Sequence, residues 1–236
     1  MHTAPRSPSR ALPWALSHAL LALLALTGCQ GTTPPGADTA GPRTALPAQA
    51  DAPARVGTDP GHVGRGTPLS AAPGHALAAF AEGCFWGSED TFRHVPGVVA
   101  TAVGYTGGHT DDPTYEDVCT HTTGHAETVL VEFDPKRVSY DRLLEVFFAT
   151  HDPTTKDRQG PDVGDQYRSA IFTFSPDQEQ SARAAEQRES TARGGKVTTV
   201  IQPIGRFWKA EDYHQQYDEK TGHRSCPLPA RFVQGT

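Results

Sequence analysis

The amino-acid sequence predicts an α+β domain, and three observations support this fold class. Short apolar or alternating runs, typical of strands, are interspersed from residue 76 to residue 204 with apolar residues at helical spacing. Every Tyr lies beyond residue 75, while the first 75 residues are rich in Ala, Pro, Gly and Thr. The order of strands and helices favours a sheet with helices packed on it. We therefore expect one folded domain of about 150 residues over positions 76–236.

The segments with strand character are short and apolar, and several are rich in β-branched residues. They are residues 76–81, 98–105, 128–133, 169–174 and 197–204. Helical spacing or helix-capping residues mark three other segments. They are residues 84–95, 139–150 and 175–194. Three polar segments fit neither pattern, and long loops of this kind in a compact domain are usually functional. They are residues 106–127, 151–167 and 205–236.

The overall charge and composition exclude two classes of protein. The chain of 236 residues carries a formal net charge of −6. This argues against a nucleic-acid partner, because a nucleic-acid surface needs clustered Lys and Arg. No apolar run reaches the roughly 18 residues that a transmembrane helix needs. We expect a monomer.

The N-terminus has the features of an export signal. Arg6 and Arg10 precede a stretch of mostly Ala and Leu, whose length is typical of a signal peptide. The stretch ends in Leu26-Thr27-Gly28-Cys29, which resembles the processing box of bacterial lipoproteins. The resemblance implies that residues 1–28 are removed and that Cys29 is acylated. An ordinary signal peptide with a chance cysteine is the alternative.

An acylated Cys29 would anchor the exported protein to a bacterial membrane, because several acyl chains hold a protein there stably. Gln30 after the cysteine indicates sorting to the outer membrane, on its periplasmic side, by resemblance to Gram-negative lipoproteins. Residues 29–75 are expected to form a disordered tether. Prolines recur along this segment and small residues fill the gaps, so too little apolar surface is present to offset the entropy of ordering.

Cys84 is the cysteine with the most unusual surroundings. It falls where a strand meets the start of a helix, and free N–H groups at a helix N-terminus lower the pKa of a thiol. Gly83 and Gly87 permit close backbone approach, and two large aromatic side chains follow the cysteine directly. A buried structural cysteine is the alternative, since free Cys is among the most buried residue types.

The run Gly83-Cys84-Phe85-Trp86-Gly87 resembles the signature of the A-type methionine sulfoxide reductases, which act on the S epimer of methionine sulfoxide. Six further motifs of the sequence extend the resemblance over residues 78–226. They are Gly104-Tyr105-Thr106-Gly107-Gly108, Pro113-Thr114-Tyr115, Gly124-His125-Ala126-Glu127, His151-Asp152-Pro153-Thr154, Asp165-Gln166-Tyr167-Arg168-Ser169-Ala170-Ile171 and Ala210-Glu211-Asp212-Tyr213-His214-Gln215-Gln216-Tyr217. The resemblance implies a two-layer sandwich with a mixed central sheet flanked by helices, a ferredoxin-like core and long functional loops.

The resemblance also implies which residues carry the chemistry. Cys84 matches the nucleophile that attacks the sulfoxide sulfur. Glu127 matches the acid that protonates the departing oxygen, and a carboxyl near apolar groups can still hold a proton near neutral pH. Tyr115 and Tyr167 match two tyrosines that hydrogen-bond this oxygen, which suits phenols because they stay protonated below about pH 10.

Substrate contacts and the return step follow from the same resemblance. Phe85 and Trp86 match the wall that holds the substrate methyl group, and Asp162 matches a polar residue that helps complete the site. Cys226 matches the resolving cysteine, whose thiol would condense with a sulfenic acid on Cys84. No further cysteine follows Cys226. We therefore expect a thioredoxin-like donor to reduce the Cys84–Cys226 disulfide directly.

No bound cofactor and no metal site are expected. His121, His125 and His151 lie in predicted loops without the ligand spacings of known metal sites. Cys119 is expected to be a buried bystander.

The leading hypothesis is reduction of methionine sulfoxide, protein-bound or free, outside the cytoplasm. A thiol peroxidase or disulfide exchanger that uses the same cysteine pair is the alternative enzyme. A surface lipoprotein that keeps the fold as a binding module is a third hypothesis, against which the presence of Glu127 and Tyr115 argues.

Overall fold

The computed structural model describes residues 57–223 together with Pro229 and Phe232. Four predicted features lie outside the described residues: the signal peptide, lipidation at Cys29, the tether up to residue 56 and the resolving cysteine, Cys226. Within the described part, no helix is both long and apolar enough to cross a membrane.

Eight strands and five α-helices make up the described chain. The strands are β1 (Ala76–Glu82), β2 (Val98–Thr106), β3 (Ala126–Phe133), β4 (Arg158–Gln159), β5 (Asp162–Val163), β6 (Ser169–Thr173), β7 (Val200–Pro203) and β8 (Trp208–Lys209). The helices are α1 (Phe85–Arg93), α2 (Tyr115–Cys119), α3 (Tyr140–Thr150), α4 (Pro176–Ala192) and α5 (Tyr217–Thr221). The five strands and three helices predicted from the sequence are confirmed.

Six of the strands form one mixed sheet in the order β7-β6-β1-β3-β2-β8. Neighbouring strands are antiparallel except for β6 and β7, which are parallel. The units β1-α1-β2 and β3-α3-β6 place the strands in the order β6-β1-β3-β2, which is the split βαβ arrangement of ferredoxin-like domains. The predicted α+β fold with a ferredoxin-like core is therefore confirmed.

The helices α1, α3 and α4 cover one face of this sheet. Side chains alternate along β1, so that Phe80 faces the helices while Ala79 and Ala81 face the other way. Phe80 stacks on Phe92 of α1 and on Phe147 of α3, with ring centroids 4.8 and 5.4 Å apart. Burying each such ring contributes about 1.5–3 kcal/mol to folding, so this cluster fixes the helices on the sheet.

The opposite face of the sheet is covered in part by residues 57–75, which we call the N-terminal strap. Val63 and Leu69 of the strap pack against Ala79, Leu130 and other small or apolar residues of this face. The expectation of a disordered tether is therefore wrong for residues 57–75. Proline content argued for disorder, but Val63 and Leu69 of the strap are partly buried against the apolar residues of this face.

Glu132 of β3 holds the strap in place. Its carboxylate accepts hydrogen bonds from the backbone N–H groups of Gly61 and Ala72, both at 3.0 Å, and lies 2.8 Å from Nδ1 of His75. Burial works against the charge, yet these donors outweigh it and hold the pKa of Glu132 below its usual range. The ionised carboxylate thus satisfies backbone groups that the strap cannot pair by itself.

The three unassigned segments contain short elements that periodicity cannot show. Residues 106–127 include α2, residues 151–167 include the β4-β5 hairpin, and residues 205–223 include β8 and α5. Beyond Cys226, the ring of Phe232 is buried at 4% exposure, and the guanidinium of Arg142 on α3 lies 4.4 Å from its centroid. Phe232 is therefore packed against α3.

Replacing Glu132 with Gln is expected to lower the free energy of unfolding by about 1–3 kcal/mol at pH 7, because an amide NH₂ would face a strap donor. The loss should shrink as pH falls below the usual Glu pKa, since the folded-state pKa of Glu132 is lowered and its stabilisation disappears on protonation. Urea denaturation at several pH values measures this. Glu179→Gln, on the exposed face of α4, is the control, and an equal loss in both variants would contradict the assignment.

Candidate active site

Cys84 lies between β1 and α1 and is the N-cap residue of α1. The turn depends on Gly83, whose φ is 109° and whose Cα faces Gln159 so closely that a Cβ would lie 2.7 Å from the Cγ of that side chain. The N–H of Trp86 donates a hydrogen bond to the Cys84 thiol. Cys84 is half-buried and its thiol is free. The predicted placement of this cysteine at a helix start is confirmed.

Glu127 is buried beside the same helix start. It lies on β3 opposite Tyr105 of β2, and its side chain is 2% exposed. Its Oε2 atom accepts a hydrogen bond from the Phe85 N–H at 3.1 Å. Burial raises the pKa of Glu127 to about 8, while this N–H opposes the shift and the charge of Asp162 adds to it. The carboxyl therefore keeps a proton at neutral pH next to Cys84.

The surroundings of Cys84 do not favour a thiolate in the protein as it stands. Burial is the main cause that raises the pKa of the Cys84 thiol, followed by the negative charge of Glu127. The Trp86 N–H lowers this pKa but does not outweigh them, and the charges of Asp162 and Asp218 raise it further. The helix start therefore lowers the pKa of Cys84 as expected, but desolvation outweighs this effect, so the net shift is upward.

Of the two predicted tyrosines, Tyr115 lies close to Glu127, and Tyr167 lies close to Tyr115. Tyr115 is the first residue of α2, and Tyr167 ends a short 3-10 turn. Burial raises the pKa of Tyr115, and the next largest cause is the charge of Glu127, with Tyr167 also contributing. Tyr115 therefore stays a hydrogen-bond donor over the physiological pH range. The Cys119 thiol is half-buried rather than buried, and it is hydrogen-bonded to the Tyr115 hydroxyl.

Aromatic rings form a wall beside the thiol. Trp86 stacks on Tyr217 of α5 with ring centroids 3.8 Å apart, and its Nε1–H donates to Nδ1 of His214 at 2.9 Å. Phe85 is 1% exposed and packs edge-on against His214, with centroids 5.0 Å apart. The ring of Tyr115 lies 4.7 Å from the same imidazole. Trp86 is half-exposed and is thus better placed than Phe85 to touch a bound molecule.

His214 and Glu211 belong to the site, although neither was expected there from the sequence. Burial lowers the pKa of His214 to about 4, so its imidazole is neutral and can accept the Trp86 hydrogen bond. The Glu211 carboxylate accepts from the Tyr115 N–H at 2.9 Å and from the Tyr105 hydroxyl at 3.0 Å. Their membership of the motif Ala210–Tyr217 is the signal that could have found them.

Two further acids complete the site. Asp162, predicted from the sequence, pairs with Gln159 in the β4-β5 hairpin, and burial raises its pKa. Asp218 of α5 is 3% exposed and was not predicted. Both carboxylates act on the pKa of Cys84, so the structure places them near the thiol.

The three histidines that raised the question of a metal use their ring nitrogens for hydrogen bonds to protein atoms. They are His121, His125 and His151. Among the residues that the structure describes, no group of three or more His, Cys, Asp and Glu side chains is arranged to hold a metal ion.

A free thiol, a neutral carboxylic acid and hydroxyl donors thus meet beside an aromatic wall. The thiol can attack an electrophile, the acid can supply a proton, and the hydroxyls can bind an oxygen atom. This arrangement on an α+β sandwich defines a thiol-dependent oxidoreductase.

Comparison with known proteins identifies the family. The family model for peptide methionine sulfoxide reductase matches residues 76–234. A peptide methionine sulfoxide reductase MsrA of Methanothermobacter thermautotrophicus is 57% identical over 153 residues, which are 64% of this chain and 90% of the relative. Another, MsrA 1 of Synechocystis, is 49% identical over 201 residues, covering 81% of this chain and 90% of the relative.

Solved structures agree with this identification. The methionine sulfoxide reductase A of Corynebacterium diphtheriae matches with a TM-score of 0.63 and 39% identity, over 73% of this chain and 90% of that chain. Reduced Mxr1 of Saccharomyces cerevisiae matches with a TM-score of 0.61 and 37% identity, over 66% and 90%. The chain belongs to the peptide methionine sulfoxide reductase family, and it is an enzyme of that class. The comparisons do not favour a thiol peroxidase or disulfide exchanger.

Replacing Glu127 with Gln is expected to stabilise the protein above the usual pKa of a Glu. The folded state keeps Glu127 protonated to about pH 8, whereas the unfolded chain ionises near pH 4.5. Through this carboxyl, rising pH favours unfolding of the wild type but not of the variant. The variant's advantage should grow by about 1.4 kcal/mol per pH unit between these values and then level off. Urea denaturation from pH 4 to pH 9 tests this; a constant difference would refute it, and Glu179→Gln is the control.

Proposed function

We propose that the protein reduces the S epimer of methionine sulfoxide, in proteins and as the free amino acid, by thiolate attack from Cys84. The observation that carries this proposal is that the Glu127 carboxyl and the Cys84 thiol lie together at the start of α1. A buried carboxyl that keeps its proton to about pH 8 lies against the peptide N–H that follows the free thiol. Sulfoxide reduction needs this combination of a nucleophile and a proton donor.

In the first step, the Cys84 sulfur attacks the sulfoxide sulfur while Glu127 delivers a proton to the oxygen. Tyr115 and Tyr167 donate hydrogen bonds to that oxygen, where negative charge would otherwise build up. The oxygen is transferred to Cys84, which becomes a sulfenic acid, and the substrate leaves as methionine. The substrate sulfur gains two electrons, and the cysteine sulfur loses two.

The raised pKa of Cys84 fits a thiolate that forms only with substrate present. A neutral Glu127 puts no negative charge beside the thiol, so the second-largest cause of the raised pKa is absent while the acid holds its proton. Protonation of the sulfoxide oxygen also gives the substrate positive, sulfonium-like character. A positive charge near a thiol lowers its pKa, and the proton that leaves Cys84 as the attack proceeds passes to the Glu127 carboxylate, which has given its own proton to the oxygen.

In the second step, the Cys226 thiol condenses with the sulfenic acid, forming the Cys84–Cys226 disulfide and releasing water. The position of α5 supports this assignment. Tyr217 of α5 stacks on Trp86, two residues from Cys84, and Cys226 follows the last residue of α5, Thr221, by five positions. A thioredoxin-like dithiol then reduces the disulfide and returns the enzyme to its starting state.

We further propose that the reaction takes place outside the cytoplasm, on a protein anchored through lipid at Cys29. The support lies in the sequence alone: the basic start, the Ala- and Leu-rich stretch and the box Leu26-Thr27-Gly28-Cys29. Such a protein would repair oxidised proteins at the membrane, with residues 29–56 as the spacer that precedes the strap.

Replacing Cys84 with Ser is expected to abolish reduction of the S epimer, because a hydroxyl cannot replace the thiol as nucleophile and electron donor. The R epimer should remain unreduced by either protein. Cys226→Ser should still release about one methionine per enzyme in a single turnover, yet fail to turn over with thioredoxin. Chromatography of the product with each pure epimer measures these outcomes. Cys119→Ser is the matched control and should form the disulfide, whereas reduction of the S epimer by Cys84→Ser would contradict the mechanism.

Intact mass spectrometry of the mature protein from membranes is expected to show loss of residues 1–28 and the added mass of acyl chains. Cys29→Ser should abolish both the added mass and the membrane association, while the enzyme keeps its activity. A mature chain that begins elsewhere and carries no acyl mass would show an ordinary signal peptide instead.

A further inference from the structure

The N-terminal strap passes the edge of the sheet at β8, on the side of the active site. Gly66 lies flat against Trp208, where a Cβ would be 2.6 Å from the ring, and its N–H donates to the carbonyl of Phe207 at 2.9 Å. Arg65 forms a bridge with Trp208 through the backbone. The strap is therefore fixed at this edge by main-chain hydrogen bonds, and the side chain of Arg65 extends from a rigid base.

The guanidinium of Arg65 binds two separate segments of the chain. Its Nη2 donates to the carbonyl of Pro113 at 3.0 Å, its Nη1 donates to the carbonyl of Lys209 at 3.1 Å, and its Nε pairs with the carboxylate of Asp112. The side chains of Arg65 and Asp112 are 39% and 62% exposed, so their ion pair is weakened by solvent. The two carbonyl contacts fix the geometry, because a planar guanidinium holds its donors in a rigid fork.

Both bound segments lead directly to the active site. Two residues after Pro113 comes Tyr115, and two residues after Lys209 comes Glu211. Tyr115 and Glu211 are also bonded to each other directly, because the Glu211 carboxylate accepts a hydrogen bond from the Tyr115 N–H. Arg65 and Glu211 thus join the same two segments at successive points, one on each side of Thr114, the N-cap residue of α2.

We propose that Arg65 is a positioning residue that sets the place of the Tyr115 hydroxyl during catalysis. The helix α2 has only five residues, and its first turn is held by its own capping box, by Glu211 and by the packing of the Tyr115 ring on His214. Without the Arg65 fork, the loop at Asp112 and Pro113 would lose its link to β8. The Tyr115 hydroxyl would then no longer be held where the sulfoxide oxygen develops charge. The strap precedes residues 76–234, which match the family model.

This inference rests on the proposed role of Tyr115, so the test is a double-mutant cycle between the two residues. Arg65→Ala is expected to lower kcat/KM for methionine S-sulfoxide about tenfold, mainly through kcat, because misplacing a group by a fraction of an ångström costs factors of this size. In the Tyr115→Phe background, where the hydroxyl is already absent, the same substitution should change kcat/KM less than twofold.

Three controls accompany the cycle. Arg183→Ala removes an exposed pair with Glu179 on α4 and should leave kcat/KM unchanged. Asp112→Ala removes the solvated ion pair but keeps the carbonyl contacts, and should lower kcat/KM less than threefold. Arg65→Lys keeps the charge and the fold but cannot form the fork, so it should show most of the loss even if Arg65→Ala folds poorly.

The outcomes separate the inference from the proposed function. An equal loss from Arg65→Ala in both backgrounds, or no loss with Tyr115 present, would overturn the positioning role. A loss in Arg65→Ala alongside an unimpaired Tyr115→Phe would overturn it too, because Arg65 would then act through another group. None of these results touches the proposed chemistry of Cys84, which the epimer assays on Cys84→Ser decide independently.

Discussion

The hydrogen bond from the Phe85 N–H to Glu127 is the contact on which the site depends. A helix start leaves N–H groups without intrahelical partners, and a buried carboxyl needs a donor. Each group satisfies the other, and the bond joins α1, the helix capped by Cys84, to the strand that carries Glu127. One N–H does not offset the cost of burying a charged carboxylate. Glu127 therefore remains neutral, which is the form that the proposed mechanism requires.

The sheet brings these groups together from distant parts of the sequence. The last residues of β1 and β2 and the first residues of β3 lie at the same end of the sheet. Cys84, Tyr105 and Glu127 therefore become neighbours. Helices cover one face of the sheet, while the strap helps to cover the face lined by alanines. The short segments α2, β4-β5 and α5 lie around this end of the sheet and supply hydrogen-bond donors and part of the aromatic wall.

Most of the fold could be predicted from the sequence because the long elements have clear periodicity. The run from Thr128 to Phe133 alternates, and α3 repeats its apolar residues at helical spacing. The strap could not be predicted, since its order comes from Glu132 and from a distant sheet face rather than from its own composition. The short helices α2 and α5 were not predicted for a related reason. Each has only five residues and is held by tertiary contacts.

The proposed site residues follow from sequence motifs, whereas their energetics do not. The motifs located Cys84, Glu127 and Tyr115, which the structure places together. The pKa of the thiol was expected to fall, because a helix start can be recognised in a sequence whereas burial cannot. Residues such as His214 and Glu211 act on other side chains rather than on a substrate. Their importance becomes visible only when the hydrogen bonds are known.

The buried ring of Phe232 has a consequence for the proposed return half of the reaction. In the sequence, Cys226 lies between Tyr217, which stacks on Trp86, and Phe232, which is buried against α3. A chain segment that is fixed at both ends keeps its reactive groups at a high effective concentration near those ends. Under the proposed mechanism, disulfide formation with Cys84 would then be intramolecular and independent of the enzyme concentration.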